Sequence, residues 1–233
     1  MTFPAFLFDY NGVLVDDEHV HWAAFCQVLR PMGIEISQAD YWEKYLGFDD
    51  IGAFRAVLAD HGRPVIEAEV HALVQRKKPI YLELARDTLK GFDGSGALLR
   101  RLAQAGATIG IVSGALRDEI ELGLQVLGAK AAVRFIVSAE DTRASKPDPE
   151  GYLIGRRKLE ALAGSNAASR ALVIEDSIAG IEAAIGAGLF CLAVAHSYER
   201  SQLKAAGAMC VVDRIADVDD ALLSRLYVEV GAR

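Results

Sequence analysis

Cysteine is scarce in this sequence, which has three cysteines among 233 residues, namely Cys26, Cys191 and Cys210. An odd number of cysteines so far apart in the chain fits neither a disulfide framework nor the ligand spacing of a zinc cluster. We therefore expect three reduced and mostly buried thiols.

Long apolar runs are also missing, since the chain contains no stretch of about 18 consecutive apolar residues. A transmembrane helix needs about 20 such residues, so we expect no membrane span and no membrane partner. The start, Met1-Thr2-Phe3-Pro4, has no charged region followed by the apolar run of a secretory signal. The expected location is therefore the cytoplasm.

Positive charge is in deficit, with 25 lysines and arginines against 32 aspartates and glutamates and a net charge of −7. This balance excludes an overall basic surface of the kind that binds nucleic acid. Hydrophobic residues make up 52% and charged residues 24%, which excludes a disordered or fibrous chain. At roughly 150 residues per domain, the length leaves room for one core domain with a large insertion.

Short apolar runs alternate with helical patterns over most of the chain. Runs of four or five residues rich in Val and Ile, with little alternation, are typical of strands buried on both faces of a parallel sheet. These runs are residues 5–8, 108–112, 133–137, 171–174, 190–194 and 209–212. The helical patterns are residues 94–106, 115–127, 149–163, 178–187 and 198–206. The alternation predicts an α/β fold with a Rossmann-like parallel sheet and right-handed crossovers.

One interval departs from this alternation. Between Asp17 and Leu89 the sequence has only helical patterns, at residues 21–32, 38–45, 50–61 and 67–86. Because some seventy helical residues are too many for a loop, we predict an inserted, all-helical cap domain at residues 17–89. The α/β core domain would then comprise residues 1–16 and 90–233, and the two crossings between the domains would be hinges.

Polar residues directly follow several of the predicted strands. Asp9 follows the first apolar run, Ser113 follows the second, and Glu175 and Asp176 follow the fourth. Since ligands bind beyond the carboxyl ends of parallel strands, we expect a functional site at this edge of the sheet. Asp9 and Asp176, with a backbone carbonyl, could supply the oxygen ligands that Mg²⁺ needs.

Four segments around these residues carry the chemistry. They are Phe8-Asp9-Tyr10-Asn11-Gly12-Val13-Leu14-Val15-Asp16, Val112-Ser113-Gly114, Ser145-Lys146-Pro147-Asp148-Pro149 and Val173-Ile174-Glu175-Asp176-Ser177-Ile178-Ala179-Gly180. In this order they resemble the signature motifs of the haloacid dehalogenase superfamily, in its phosphatase and β-phosphoglucomutase-like branch. The resemblance covers essentially the whole chain and implies a hydrolase, most specifically a phosphatase, with a helical cap.

The resemblance implies how such a site would handle phosphate. Asp9 would be the catalytic nucleophile that takes up a phosphoryl group as an aspartyl-phosphate. Ser113 and Lys146 would bind phosphate oxygens and offset charge in the transition state, and the Gly114 N–H and Gly12 would add to the substrate-binding loop. The implied partner is a small phosphorylated metabolite, and the implied assembly is a monomer or homodimer.

The resemblance also implies a Mg²⁺ cofactor. Its ligands would be Asp9, Asp176 and the main-chain carbonyl of Asn11, with Glu175 nearby or acting through water. A carboxylate that attacks a phosphate dianion meets a like charge, and the cation together with Lys146 would reverse the local sign.

Asn11 departs from the family pattern at a catalytic position. Phosphatases of this superfamily usually have a second aspartate there, which protonates the leaving oxygen and later activates water, whereas an amide cannot act as a general acid or base at ordinary pH. Four explanations stay open. The protein hydrolyses substrates with good leaving groups or finds its base elsewhere, or it is an impaired relative that binds a phosphorylated ligand, or it runs another reaction of the superfamily, or Asn11 is an engineered replacement of Asp.

Other reactions of the superfamily are weighed by the same residues. Haloacid dehalogenases use the aspartate nucleophile without a metal, so the acid pair Glu175-Asp176 argues against that activity. Phosphonoacetaldehyde hydrolases lack the second aspartate and use a cap lysine as a Schiff base. Pro31-Met32-Gly33 faintly resembles their cap, but no lysine follows it closely, and we expect Lys44, Lys77 and Lys78 to be solvated. A sugar-phosphate mutase needs the second aspartate for two proton transfers, so Asn11 argues against that activity.

The predicted cap contributes two candidate substrate-binding residues, Glu18 and His21. His21 lies where relatives with this cap often have a histidine near the hinge, and it could supply the missing proton function. The alternative is a histidine at a helix start that packs within the cap. Gly47-Phe48-Asp49-Asp50 resembles the substrate-contacting loop of such caps, and its two acids argue against sugar phosphates.

Overall fold

In the computed structural model, which describes residues 3–231, the chain divides into two compact units. The core unit comprises the chain up to Asp16 and from Lys90 onward, and the helical unit comprises Asp17–Leu89. Within residues 3–231, no helix is both long and apolar enough to cross a membrane.

The helical unit contains helices and no strand among its residues. Its helices are α1 (Glu18–Leu29), α2 (Gln38–Asp40), α3 (Asp50–Asp60) and α4 (Glu67–Thr88), with a π-helical turn at Tyr41–Tyr45 that continues α2. α1 packs against α4, and α3 packs against the same helix. Asp49 begins α3 because its Oδ1 accepts a hydrogen bond of 2.7 Å from the Gly52 amide, which satisfies a donor of the first turn.

The core unit is built on a parallel sheet. Its strands are β1 (Ala5–Phe8), β2 (Val15–Asp16), β3 (Lys90–Gly91), β4 (Thr108–Val112), β5 (Phe135–Val137), β6 (Leu172–Glu175), β7 (Phe190–Val194) and β8 (Cys210–Val212). Six of them pair in parallel in the order β5-β4-β1-β6-β7-β8. β1 lies inside this sheet, with Phe8 opposite Ile111 on one side and Ile174 on the other. The predicted α/β fold with a Rossmann-like parallel sheet is confirmed.

Helices of the core unit follow the strands along the chain. They are α5 (Ser95–Gln104), α6 (Arg117–Val126), α7 (Glu150–Ala163), α8 (Ser165–Ser169), α9 (Ile178–Gly186), α10 (Arg200–Ala205) and α11 (Asp220–Gly231). α7 approaches the sheet closely through Gly155, where a Cβ would lie 2.9 Å from Val112 and 3.1 Å from Leu7. This close approach buries the two aliphatic side chains between the helix and the sheet.

The strands β2 and β3 form a separate antiparallel pair. Val15 lies opposite Gly91, and Asp16 lies opposite Lys90. Both passages of the chain between the two units therefore start from one short ladder in the core unit.

Some features of the core unit were not predicted. The sequence patterns did not include α8 and α11, although Leu223, Leu226 and Val230 of α11 are buried at helical spacing. Cys191 is buried, as expected, whereas Cys26 and Cys210 are partly exposed, and all three are free thiols.

We predict that Leu7→Ala lowers the free energy of unfolding by about 2–5 kcal/mol, because Leu7 is fully buried in β1 and its loss leaves a cavity. Urea denaturation followed by circular dichroism measures this change. The matched control is Leu162→Ala on α7, where the leucine is 51% exposed and a change below about 0.5 kcal/mol is expected. Equal losses in the two variants would contradict the assignment of the core.

Candidate active site

Asp9 lies at the carboxyl end of β1, in a loop whose shape depends on a glycine. The Asp9 amide donates to the Ile174 carbonyl at 3.0 Å, which keeps the residue in register with β6. Gly12 has a φ of +72°, and a Cβ at this position would lie 2.1 Å from Oδ2 of Asp176. Only glycine therefore allows the loop after β1 to pass this close to the Asp176 carboxylate.

Lys146 joins two of the carboxylates. Its Nζ lies 2.8 Å from Oδ1 of Asp9 and 2.6 Å from Oε1 of Glu175. The ammonium also lies 5.1 Å from the centre of the Tyr152 ring, within range of a cation–π interaction. One cation is thus held between the end of β1 and the end of β6.

The Glu175 carboxylate is fully buried and accepts several hydrogen bonds. Oε1 accepts from Lys146 and from the Tyr152 hydroxyl at 3.0 Å. Oε2 accepts from the Asp176 amide at 2.9 Å and from both the amide and the hydroxyl of Ser177 at 3.0 Å. These partners fix the carboxylate, so Glu175 can hold Lys146 in one position.

Asp176 lies beside the loop after β1 and is 5% exposed. The Ser197 hydroxyl donates to its Oδ2. Asp9, Glu175 and Asp176 each offer one carboxylate oxygen, and these three atoms lie within 4.8 Å of one another. Such a group of buried oxygen donors could hold a hard divalent cation.

The three neighbouring carboxyl groups have different pKa values. Burial raises the pKa of Asp9 to about 6, although Lys146 opposes the shift. Burial and the charges of Glu175 and Asp9 raise the pKa of Asp176 well above its usual range. Burial also acts on Glu175, but the Lys146 ammonium and the hydrogen bonds to the carboxylate keep its pKa below the ordinary value. Of the three carboxyl groups, Glu175 is therefore the one most fully ionised at neutral pH.

Ser113 and Asn11 meet on the other side of Asp9. Ser113 directly follows β4, and its hydroxyl donates to Oδ1 of Asn11 at 3.3 Å while accepting from the Ala115 amide at 3.1 Å. Gly114 is exposed in the same turn. The structure thus gathers the predicted residues of all four motifs at the carboxyl ends of β1, β4 and β6.

Glu18 and His21 lie in the helical unit, where both belong to a cluster of polar side chains. Oε2 of Glu18 accepts a hydrogen bond of 2.9 Å from the Tyr41 hydroxyl. In His21, Nδ1 lies 2.7 Å from Nζ of Lys77, and Nε2 lies 3.2 Å from Oδ2 of Asp17. Their role in substrate binding stays a prediction.

The expectation that Lys77 is solvated was wrong. Its side chain is fully buried in the helical unit, where the ammonium pairs with Asp50 and lies 4.5 Å from the centre of the Phe25 ring. A buried ammonium needs such partners, and Asp50 supplies the compensating charge. A lysine on the apolar face of α4, among Val70, Leu73 and Val74, was the available signal.

Three residues near the site were not anticipated: Tyr152, His196 and Ser197. Tyr152 lies six residues after Lys146 and gave no signal of its own. His196 and Ser197 follow the end of β7, so the rule that polar residues at strand ends build sites could have found them.

Similar proteins are known in sequence and in structure. The sequence is 29% identical over 203 residues to validoxylamine A 7'-phosphate phosphatase of Streptomyces hygroscopicus subsp. limoneus, covering 87% of this chain and 91% of that protein. It is 29% identical over 226 residues to N-acetylmuramic acid 6-phosphate phosphatase of Pseudomonas aeruginosa, covering 95% and 96%. The fold resembles that of β-phosphoglucomutase from Clostridium difficile, with a TM-score of 0.82 over 99% of both chains at 24% identity.

The family described as haloacid dehalogenase-like hydrolase matches residues 6–194, a span that includes all four motifs and the helical unit. This chain is a member of the haloacid dehalogenase-like hydrolase family.

Proposed function

We propose that the protein is a Mg²⁺-dependent phosphatase that hydrolyses a small phosphorylated metabolite through an aspartyl-phosphate at Asp9. The observation that carries the proposal is the pairing of Lys146 with Asp9 inside a group of buried carboxylates. The similarity to two phosphatases of small phosphorylated compounds supports the same reaction class.

The chain supplies the groups that phosphoryl transfer needs. Lys146, the Ser113 hydroxyl and the Gly114 amide would bind phosphate oxygens and place the phosphorus atom beside Asp9. A carboxylate oxygen of Asp9 would form the new P–O bond as the bond to the leaving oxygen breaks, and that oxygen takes up a proton. Water would then attack the phosphorus, which releases phosphate and restores the Asp9 carboxylate.

The donor set of the site fits Mg²⁺. Three buried carboxylates with one paired lysine leave an excess of negative charge. Burial, together with the neighbouring carboxylates, raises the pKa values of Asp9 and Asp176. We assign the cation to Asp9, Asp176 and the Asn11 main-chain carbonyl, and we assign Glu175 to holding Lys146. When bound, Mg²⁺ would offset the charge on the nucleophile and the phosphate.

Asn11 favours a second candidate function, an impaired phosphatase that binds a phosphorylated ligand with little turnover. Its amide is too weak an acid to protonate the leaving oxygen at ordinary pH, and its Oδ1 faces the Ser113 hydroxyl. Hydrolysis by the protein as it stands would then be confined to esters whose leaving groups need no acid.

We predict that Asp9→Ala lowers kcat/KM by at least about 10³-fold, because the variant lacks the nucleophile. A panel of phosphate esters with p-nitrophenyl phosphate, assayed with Mg²⁺, measures the change. Glu182→Gln removes an exposed carboxylate and should leave the rate unchanged. Absence of turnover in the unaltered protein, with Asp9→Ala identical to it, would overturn the proposal.

We predict that Asn11→Asp raises kcat/KM by about 10²–10⁴-fold for an alkyl phosphate, since it introduces a general acid and base. The gain should be smaller for p-nitrophenyl phosphate, whose leaving group needs little protonation. Asn166→Asp, an exposed change of the same kind, is the control. A gain of only a few-fold on the alkyl phosphate would show that the proton comes from another group.

We predict that Mg²⁺ binds more tightly as pH rises. Below pH about 6 the Asp9 carboxyl holds a proton that the cation must displace, whereas above it the carboxylate is free to bind. Isothermal titration calorimetry should show a fall of at least roughly tenfold in affinity for each pH unit below 6, because Asp176, whose pKa is also raised, competes for a second proton, and it should show proton release on binding. In Asp9→Asn the affinity should be weaker and its pH dependence shallower. An affinity equal at pH 5 and pH 7.5 would argue against the assigned ligands.

A further inference from the structure

The segment directly after β7 contacts both sides of the candidate site. β7 lies next to β6, so the carboxyl end of β7 emerges beside Asp176. The Ala195 amide donates to the Val212 carbonyl at 2.8 Å, which ties the start of the segment to β8. The next two residues, His196 and Ser197, therefore start from a fixed point of the sheet.

Ser197 holds one oxygen of Asp176. Its hydroxyl donates to Oδ2, and the same carboxylate also lies closely against Gly12. A hydroxyl donor to a buried carboxylate gives a charge-assisted hydrogen bond that orients the acceptor. Two contacts thus restrict the rotation of the Asp176 carboxylate.

His196 holds the loop that carries Asp9 and Asn11. Its Nδ1 lies 2.8 Å from the Gly12 carbonyl oxygen, and because a carbonyl can only accept, Nδ1 carries the proton. The imidazole stacks on the Phe92 ring, with centroids 3.9 Å apart and planes at 22°. The Phe92 amide in turn donates to the Leu14 carbonyl at 3.1 Å. The ring is therefore fixed between two points of the same loop.

We propose that His196 and Ser197 are positioning residues that set the spacing between the loop after β1 and Asp176, and thereby the affinity of the site for Mg²⁺. This inference rests on the proposed function. Asn11, whose carbonyl is an assigned ligand, precedes Gly12, so a shift of Gly12 moves that carbonyl relative to Asp176. Outer partners of metal ligands are worth about 10–100-fold in metal affinity or activity.

Paired substitutions separate the hydrogen bonds from the space that the side chains fill. His196→Leu removes the donor, whereas His196→Asn places an amide N–H near the position of Nδ1. Ser197→Ala removes the hydroxyl, and Ser197→Thr keeps it. The exposed residues His71 and Ser201 give matched controls as His71→Leu and Ser201→Ala.

We expect His196→Leu and Ser197→Ala each to weaken Mg²⁺ binding in calorimetry by about 10-fold or more and to raise the Mg²⁺ concentration for half-maximal rate equally. His196→Asn, Ser197→Thr and the two controls should stay close to the unaltered protein. In the Leu and Ala variants the melting temperature of the metal-free protein should fall by less than the lost Mg²⁺ affinity would require if a weaker fold were its cause. If the Leu variant does not fold, the Ser197 pair carries the test.

Three other outcomes would contradict the inference. Unchanged Mg²⁺ affinity in both Leu and Ala variants, with turnover intact, overturns this inference and leaves the proposed function standing. Equal losses in the Asn and Thr variants, or a matching loss of metal-free stability, would show that the two residues only support the fold. If the unaltered protein neither binds Mg²⁺ nor turns over an ester, the proposed function fails and this inference fails with it.

Discussion

The position of one ammonium group governs the arrangement of the site. Lys146 reaches Asp9 and Glu175 together, and Asp176 brings a third buried carboxylate to the same place. Buried charges of like sign cannot all persist without compensation, and a single lysine offsets only part of the excess. The three carboxyl groups do not share the remaining negative charge equally. It stabilises the anion at Glu175 through Lys146, Tyr152 and amide donors, and it leaves Asp9 and Asp176 with raised pKa values. Glu175 therefore stays ionised and fixed in place, whereas Asp9 and Asp176 can gain or lose a proton more readily. Such a combination suits a site that binds a cation and then reacts.

Much of this architecture could be predicted from the sequence, because its strongest signals are periodic. Strands buried on both faces require unbroken apolar runs, and the runs at residues 5–8, 108–112 and 190–194 coincide with β1, β4 and β7. Once the strands are parallel, their carboxyl ends lie at one edge, so Asp9, Ser113 and Glu175 were expected on the same edge of the sheet. Their close approach also depends on β4, β1 and β6 being neighbours, an order that the sequence patterns did not predict.

The rest depended on contacts that leave no periodic signal. The burial of Lys77 is decided by Asp50 and His21, which are 27 and 56 residues away in the chain. The sequence gives His196 no distinctive pattern, because its contacts are with Phe92 and with the Gly12 carbonyl, which is 184 residues away from it in the chain. A single polar residue in a loop has many possible partners, and the sequence does not rank them. The hydrogen bonds that the Glu175 carboxylate accepts could not be predicted for the same reason, since several of their donors lie in other parts of the chain.

The short ladder of β2 and β3 has a bearing on how such a protein can change over time. Val15–Asp16 and Lys90–Gly91 lie opposite each other, so the core chain is already closed across the point where the helical segment leaves and returns. The ladder holds the two ends of the helical segment together. The entropic cost of closing that segment rises only slowly with the number of residues between its ends. The intervening segment can therefore lengthen, shorten or be exchanged for another while the strands that carry the site keep their register. In such an arrangement, the helical segment and the candidate site of the core unit are free to evolve separately.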